Sequence, residues 1–161
     1  MSRVHASQRH DSALKHVTGQ ALYIDDMPEP PGTLHGAIAM SPVAAGRLRA
    51  LDVAAARAAP GVVAVLAADD IPGVNNIAGP GKDEPLFAAR EVLFAGQSLA
   101  LVVADTLDHA RAAAALVVPD IEPGEAILDI ATARARQAWV QPPSTILRGD
   151  PDGALAAAPH R

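Results

Sequence analysis

The spacing of apolar and polar residues along the chain predicts a series of short strands. LHGAIAM (34–40) is one candidate, and RLRALDV (47–53) alternates apolar with basic residues, which is the period of a half-buried strand. VVAVLA (62–67) is a continuous run rich in β-branched residues, which is typical of a strand buried on both faces. ALYI (21–24) predicts a further strand, closed by the prolines and glycine of residues 28–32.

The second half of the pattern predicts a hairpin and an edge strand. VLF (92–94) and SLALVVA (98–104) flank an AGQ turn, which together predict a β-hairpin. LVVPDI (116–121) predicts a last strand, and Pro119 restricts it to an edge or a bulge because proline has no N–H to donate.

Four helices are predicted, each beginning at a residue whose side chain can accept a hydrogen bond from the first turn. They cover VAAARAA, which ends at Pro60-Gly61, then TLDHARAAAAL, IATARARQAW and DPDGALAAA. The predicted capping residues are Asp52, Asp105 or Thr106, Asp129 and Asp150, with Pro151 at the first helical position.

Two stretches show no periodicity. Residues 1–15 are polar and patternless, which predicts a flexible N-terminal arm. Residues 68–85 are rich in turn formers, and a loop of this length inside a compact domain is usually functional or mobile.

Composition suggests a partner for the domain. The 161 residues suit one core, and half of them are apolar, but only two Phe, one Trp and one Tyr are aromatic. An interior of Ala, Val, Leu and Ile has little bulk at each position. The apolar area that remains exposed in such a case is usually covered by a neighbouring domain or subunit.

Charge and cysteine content exclude several functional classes. The net charge of −5 and the absence of basic runs interleaved with aromatics argue against nucleic-acid binding. With no cysteine, the chain can form no disulfide and can supply no thiolate for catalysis, zinc or an iron–sulfur cluster. The apolar runs are too short for a membrane span, and the polar start lacks the apolar segment of a signal peptide, so we expect a cytoplasmic location and no membrane partner.

The local motifs favour structural interpretations over catalytic ones. GPGKD (79–83) lacks the glycine and the Ser or Thr that a phosphate loop needs. Ser98 in GQSLA precedes a strand, whereas a nucleophilic serine requires a turn into a helix, so a hydrolase using Ser98 is a disfavoured alternative. The six histidines are scattered, and the acidic pairs at 25–26, 69–70 and 83–84 are typical of strand ends and turns. These residues supply no combination of nucleophile, base and oxyanion donor.

A collinear series of signals resembles one family. VTGQALYIDD, LHGAIAMSPVA, PGVVAVLAADDIPG, DEPLFA, VLFAGQSLALVVADT, HARAAA and AILDI are similar, in order and spacing, to the N-terminal segment of the molybdenum-binding subunit of xanthine dehydrogenases and aldehyde oxidases. The resemblance runs from about His16 to the end of the chain. It implies an α/β (α+β) hammerhead fold, with a mixed sheet and two to four short helices.

The resemblance also implies boundaries within the chain and places the catalytic and cofactor-binding residues outside it. We expect a flexible arm over 1–15, the hammerhead domain over 16–128 and a helical or extended connector over 129–161. Family catalytic and pterin-binding residues lie in later sequence, so we expect no catalytic, cofactor or metal residue here and an inactive isolated chain. Molybdopterin would belong to molybdenum-binding domains of the same polypeptide, and 2Fe-2S and FAD to partner domains or subunits.

The resemblance implies a structural and interface role within a xanthine dehydrogenase-like oxidoreductase of purine catabolism, which would hydroxylate a purine or aldehyde with oxygen from water. A freestanding, non-catalytic binding or assembly module of the same fold is the alternative. Residues of the long loop and of the AGQ turn are the predicted interface. They are Asp70, Gly73, Asn75, Asn76, Asp83, Glu84, Gly96 and Gln97.

Overall fold

The computed structural model describes residues 4, 6–79 and 84–160. The strands are β1 (His35–Met40), β2 (Gly46–Asp52), β3 (Val62–Ala67), β4 (Glu91–Val92), β5 (Ser98–Ala104) and β6 (Val118–Pro123). The α-helices are α1 (Ala13–Val17), α2 (Ala54–Arg57), α3 (Leu107–Ala114), α4 (Ile130–Ala135) and α5 (Pro151–Ala157), and Ile24–Asp26 and Ala68–Asp70 form 3-10 turns. The predicted α/β class is confirmed, with two antiparallel sheets in place of the expected mixed sheet.

The strands form two antiparallel sheets of three strands each. Sheet 1 has the order β1-β5-β3, and sheet 2 has the order β4-β2-β6. Helices α2 and α3 pack on one face of sheet 1, where small side chains permit a close approach. The buried residues of this core are Ala39, Ala56, Val65, Ala100, Val102 and Ala113.

A second, smaller core lies against sheet 2. Ala88, Val92 and Leu99 are its buried residues, and Leu51 packs against both cores. Leu99 occupies the bulge where the register of β5 against β1 shifts, because Ala39 pairs with Ala100 and Met40 pairs with Ser98. One strand therefore contributes to both cores.

Three of the four predicted helix starts are confirmed. Thr106 accepts from the His109 N–H, and Asp129 and Asp150 accept from the N–H groups of Thr132 and Gly153. The predicted start of α2 is wrong by one residue, because Val53 is its N-cap and the helix begins at Ala54; Asp52 accepts from the Ala54 N–H at 2.9 Å from the residue before the cap.

The predicted strand at ALYI is wrong. Residues 24–26 form a 3-10 turn instead, in which Asp26 accepts a hydrogen bond from the Tyr23 N–H at 2.9 Å. Tyr23 Oη lies 2.9 Å from His16 Nδ1. Local side-chain hydrogen bonds thus replace the strand pairing that the apolar run suggested. The preceding helix α1 begins at Ala13, within the stretch expected to be an arm.

The predicted hairpin is also wrong, because its two strands belong to different sheets. β4 pairs with β2, in sheet 2, whereas β5 lies at the centre of sheet 1. The last strand does lie at an edge, as Pro119 indicated, and it pairs with β2 alone.

β3 is not buried on both faces. Val65 is buried against α2 and α3, but Val63 is 61% exposed and Leu66 is 39% exposed. One side of sheet 1 is therefore uncovered. Among the described residues, no helix has the length and apolarity that crossing a bilayer requires.

Candidate interface

The predicted interface residues occupy two neighbouring places in the fold. Five of the described ones lie in the segment that follows β3, and Gly96 and Gln97 lie in the turn before β5. The two places are joined where the Ala88 N–H donates to the Ser98 carbonyl at 2.8 Å. Asp83 lies outside the described residues.

Asn75 holds the base of the long loop. Its Nδ2 donates to the Phe87 carbonyl oxygen at 2.7 Å, and its Oδ1 accepts from the Phe87 N–H at 3.2 Å. Phe87 is buried, so this pair of hydrogen bonds satisfies backbone groups that have little access to water. The Asn75 side chain is therefore used to close the loop.

Asn76 and Glu84 form a second set of hydrogen bonds across the loop, next to the Asn75–Phe87 pair and nearer to the loop tip. Asn76 Oδ1 accepts from the N–H groups of Ala78, at 2.9 Å, and Glu84, at 3.3 Å. The Ile77 N–H donates to the Glu84 carbonyl at 2.9 Å. The Glu84 carboxylate belongs to an exposed residue, whereas its backbone takes part in the closure.

Asp70 and Gly73 lie at the start of the loop. Asp70 Oδ2 accepts from the Ala67 N–H at 2.8 Å, so the carboxylate caps the turn that ends β3, as expected for an acidic pair at a strand end. Gly73 is exposed, and a Cβ at that position would meet open space.

Gly96 and Gln97 connect the two sheets. The Gly96 N–H donates to the Ser41 carbonyl, and the Ser41 N–H donates to the Gln97 carbonyl, each at 2.8 Å. Gln97 is buried, and its Oε1 accepts from the Leu93 N–H at 2.7 Å. The polar groups of this turn are thus bonded within the domain.

A groove of about 330 Å³ runs between the two sheets beside Asp70. Arg49 and Arg57 are the basic residues along it. Arg57 donates to the Val65 carbonyl at 3.4 Å, and Arg49 forms an ion pair with Glu122 at 2.5 Å. Since Asp70 is a capping residue as well, three of the four charged side chains along the groove, those of Arg49, Arg57 and Asp70, are engaged in structural contacts.

Among the described residues, the carboxylates of Asp105 and Asp129 have lowered pKa values, and both lie at helix starts. A hydrogen bond from His109 lowers the pKa of Asp105, and hydrogen bonds from the backbone and side chain of Thr132 lower the pKa of Asp129. Both are exposed, and both shifts follow from bonds that favour the charged form. Sequence analysis did not identify the Asp105–His109 pair; its signal is the i, i+4 spacing at a helix start.

The described side chains form no cluster of metal ligands. Over residues 4, 6–79 and 84–160, the His, Asp and Glu side chains form no group of three or more that could hold a metal ion. Ser98 begins a strand, so the turn into a helix that a nucleophilic serine requires is not formed.

These elements define a small α/β domain with two antiparallel sheets and short covering helices. Residues 18–124 match the sequence profile of the family described as "Aldehyde oxidase and xanthine dehydrogenase, a/b hammerhead domain". The chain belongs to this family, and the expected hammerhead fold is confirmed.

Known relatives are much longer than this chain. It is 42% identical over 124 residues to a xanthine dehydrogenase from Oryza sativa subsp. japonica, a match that covers 77% of this chain and 9% of the relative. Aldehyde oxidase 4 from Mus musculus is 40% identical over 149 residues, covering 91% of this chain and 11% of the relative. The chain therefore spans about a tenth of the length of the curated relatives it matches.

A solved structure shares the fold. Quinoline 2-oxidoreductase from Pseudomonas putida 86 superimposes with a TM-score of 0.71 at 30% identity, covering 83% of this chain and 18% of the other. The match thus confirms the fold in an oxidoreductase whose own chain extends far beyond the matched part.

Proposed function

We propose that this chain is a structural and interface domain of a molybdenum hydroxylase, a xanthine dehydrogenase-like oxidoreductase. The observation that carries the proposal is the family match over residues 18–124, within relatives about ten times longer. The domain stabilises and positions neighbouring polypeptide, and reaction chemistry belongs to the rest of the enzyme.

The use of the polar side chains supports this role. Asn75, Gln97 and Asp70 each satisfy backbone groups of the domain itself. Exposed apolar side chains, by contrast, are numerous in the segments that flank the core. They include Leu14, Val17, Ile24, Leu128, Ile130, Val140, Ile146 and Leu155. Exposed apolar surface of this extent is typical of protein–protein contact.

Cofactors and partners follow from the family. Molybdopterin would be held by molybdenum-binding domains of the same polypeptide, with 2Fe-2S and FAD in partner domains or subunits, and the enzyme would act in the cytoplasm. The reaction would be hydroxylation of a purine or aldehyde with oxygen from water, in a role such as purine catabolism. We assign no step of that reaction to residues of this chain.

The interface remains the one predicted from sequence, with its members in two roles. Gly73 and Glu84 are exposed and able to contact a partner. Asn75, Asn76, Gly96 and Gln97 hold the loop and the turn in place beneath them. Partner binding would thus depend on both groups, directly for the first and through loop geometry for the second.

A chimeric enzyme tests the proposal. The segment of Oryza sativa xanthine dehydrogenase that matches this chain is replaced by all 161 residues, and a deletion of the same segment is the control. We expect the chimera to be soluble, to contain molybdenum and to reduce an electron acceptor with xanthine, and the deletion to lose all three.

Two results would contradict the scaffold role. One is a chimera that neither assembles nor incorporates molybdenum while the unmodified relative does both. The other is a deletion that keeps full molybdenum content and turnover, since a dispensable segment cannot be a required scaffold. A freestanding binding module would fit the first result.

A further inference from the structure

Sheet 1 has one face covered by helices, and no element of the described residues packs on its other face. Residues paired across strands share a face, so the register defines the uncovered side. Its rows are Gly36–Val103–Ala64 and Ile38–Leu101–Leu66. We call these six residues the open face. Helices α2 and α3 pack on the opposite side, against Ala39, Val65, Ala100 and Val102.

The open face is apolar throughout. None of its six residues is ionisable or polar, and Ile38 and Leu66 are 38% and 39% exposed. A Cβ at Gly36 would lie 3.0 Å from Leu101 Cδ1, so the Leu101 side chain lies over the glycine and fills the space that a larger side chain would occupy there. An antiparallel sheet with one solvated face normally alternates apolar with polar residues, and this one does not.

Sheet 2 shows the contrast within the same chain. Its exposed side carries Arg47, Arg49, Glu91 and Glu122, and Arg49 and Glu122 form an ion pair. Arg47 is in register with both Glu91 and Glu122. Cross-strand charge pairs of this kind suit a face in water. The outer side of sheet 2 therefore has the charged residues of a solvent-exposed face, whereas the open face of sheet 1 has the apolar residues of a face that another polypeptide covers.

The area of the open face distinguishes a second copy of this chain from a covalently linked domain as the partner that covers it. Three strands about 4.8 Å apart and about 20 Å long present a footprint of roughly 300 Å². A stable interface between separate proteins needs roughly 800 Å² on each side. The face alone is too small to hold a second copy of this chain. A covalently linked partner needs less area, because tethering supplies an effective concentration on the order of millimolar.

We propose that the open face is the docking surface for another domain of the same polypeptide, which covers it with an uncharged apolar surface. The proposal rests on the function proposed above, since it takes the cover from the part of the enzyme that, in the relatives, lies outside the matched segment. It adds which side of the domain is joined and what chemistry the partner presents there.

Lysine substitutions test the surface in the same chimera. Ile38→Lys and Leu66→Lys place a charge on the open face, and Val118→Lys, which is exposed on the edge strand of sheet 2, is the matched control. Burial of an unpaired ammonium group is costly, so we expect about a tenfold or greater loss of assembled, molybdenum-containing chimera for the first two variants and no loss for Val118→Lys.

Measurements on the isolated 161-residue chain separate docking from folding. All three variants should keep the unfolding midpoint of the unsubstituted chain and elute as monomers in light-scattering chromatography. If Ile38→Lys and Leu66→Lys assemble as well as Val118→Lys, the docking surface is wrong. A dimer of the isolated chain that Ile38→Lys dissociates would also overturn it, in favour of a second copy. An unsubstituted chimera that fails to assemble would instead contradict the function itself.

Discussion

Asp105 contacts Gly61 in two ways: its backbone is hydrogen-bonded to the glycine, and its side chain lies where a Cβ on the glycine would be. The Asp105 N–H donates to the Gly61 carbonyl at 2.9 Å, and Asp105 Oδ1 accepts from His109 Nδ1 at 2.6 Å directly above the glycine. Gly61 has φ of +73°, a conformation that favours glycine. The start of β3 and the start of α3 are joined at this point.

Gly61→Ala is expected to destabilise the domain more than an ordinary turn glycine would. The new Cβ would overlap both Asp105 Oδ1 and His109 Nδ1 and would sit on a strained backbone. Gly32→Ala is the matched control, because Gly32 has φ of +82° but open space around it. Thermal or urea unfolding should show a loss of about 1 kcal/mol for Gly32→Ala and at least about 1 kcal/mol more for Gly61→Ala. Equal losses would show that the Asp105–His109 pair does not restrict this position.

The Asp105–His109 pair predicts a pH effect on stability. The His109 hydrogen bond lowers the pKa of Asp105 in the folded chain below its unfolded value. The contribution is therefore fully present above the unfolded pKa and is lost as pH falls through the lower, folded pKa. Carboxyl carbon NMR titration should give a low pKa for Asp105, and His109→Ala should raise it. A pKa that is unchanged in His109→Ala would contradict the assigned cause.

Local features were predictable from the sequence, and long-range pairing was not. The caps at Thr106, Asp129 and Asp150 depend only on residues three positions away, so sequence identifies them. Strand pairing depends on distant partners. The AGQ turn suggested a hairpin, but Gly96 and Gln97 bond to Ser41, and the flanking strands enter different sheets.

The open face shows a second limit of sequence patterns. VVAVLA predicted a strand buried on both sides because apolar residues occupy both sides. Periodicity reports which positions are apolar, whereas burial depends on what packs there. In this chain α2 and α3 cover Val65 and leave Leu66 exposed. The interface residues of the loop are predicted from its length and glycine content, and the pattern gave no indication that Asn75 bonds to Phe87.

Asn75→Ala should loosen the base of the long loop. The substitution removes two hydrogen bonds to Phe87 and leaves its N–H and carbonyl without those partners in a buried position. We expect a loss of about 1–3 kcal/mol in the free energy of unfolding, measured with urea. Asn76→Ala is the control, because Asn76 and the hydrogen bonds of its Oδ1 are exposed, and it should cost less. A loss for Asn76→Ala equal to that for Asn75→Ala would contradict the special role of Asn75.

The most direct test of the scaffold role is to measure the molybdenum content and the substrate turnover of the purified 161-residue chain. The chain is produced in cells that make molybdopterin, and metal content is measured by mass spectrometry beside acceptor reduction with xanthine and with an aldehyde. We predict a folded chain with far less than one molybdenum per molecule and no substrate-dependent reduction. One molybdopterin per chain, or turnover with either substrate, would show that these residues form a reaction centre of their own.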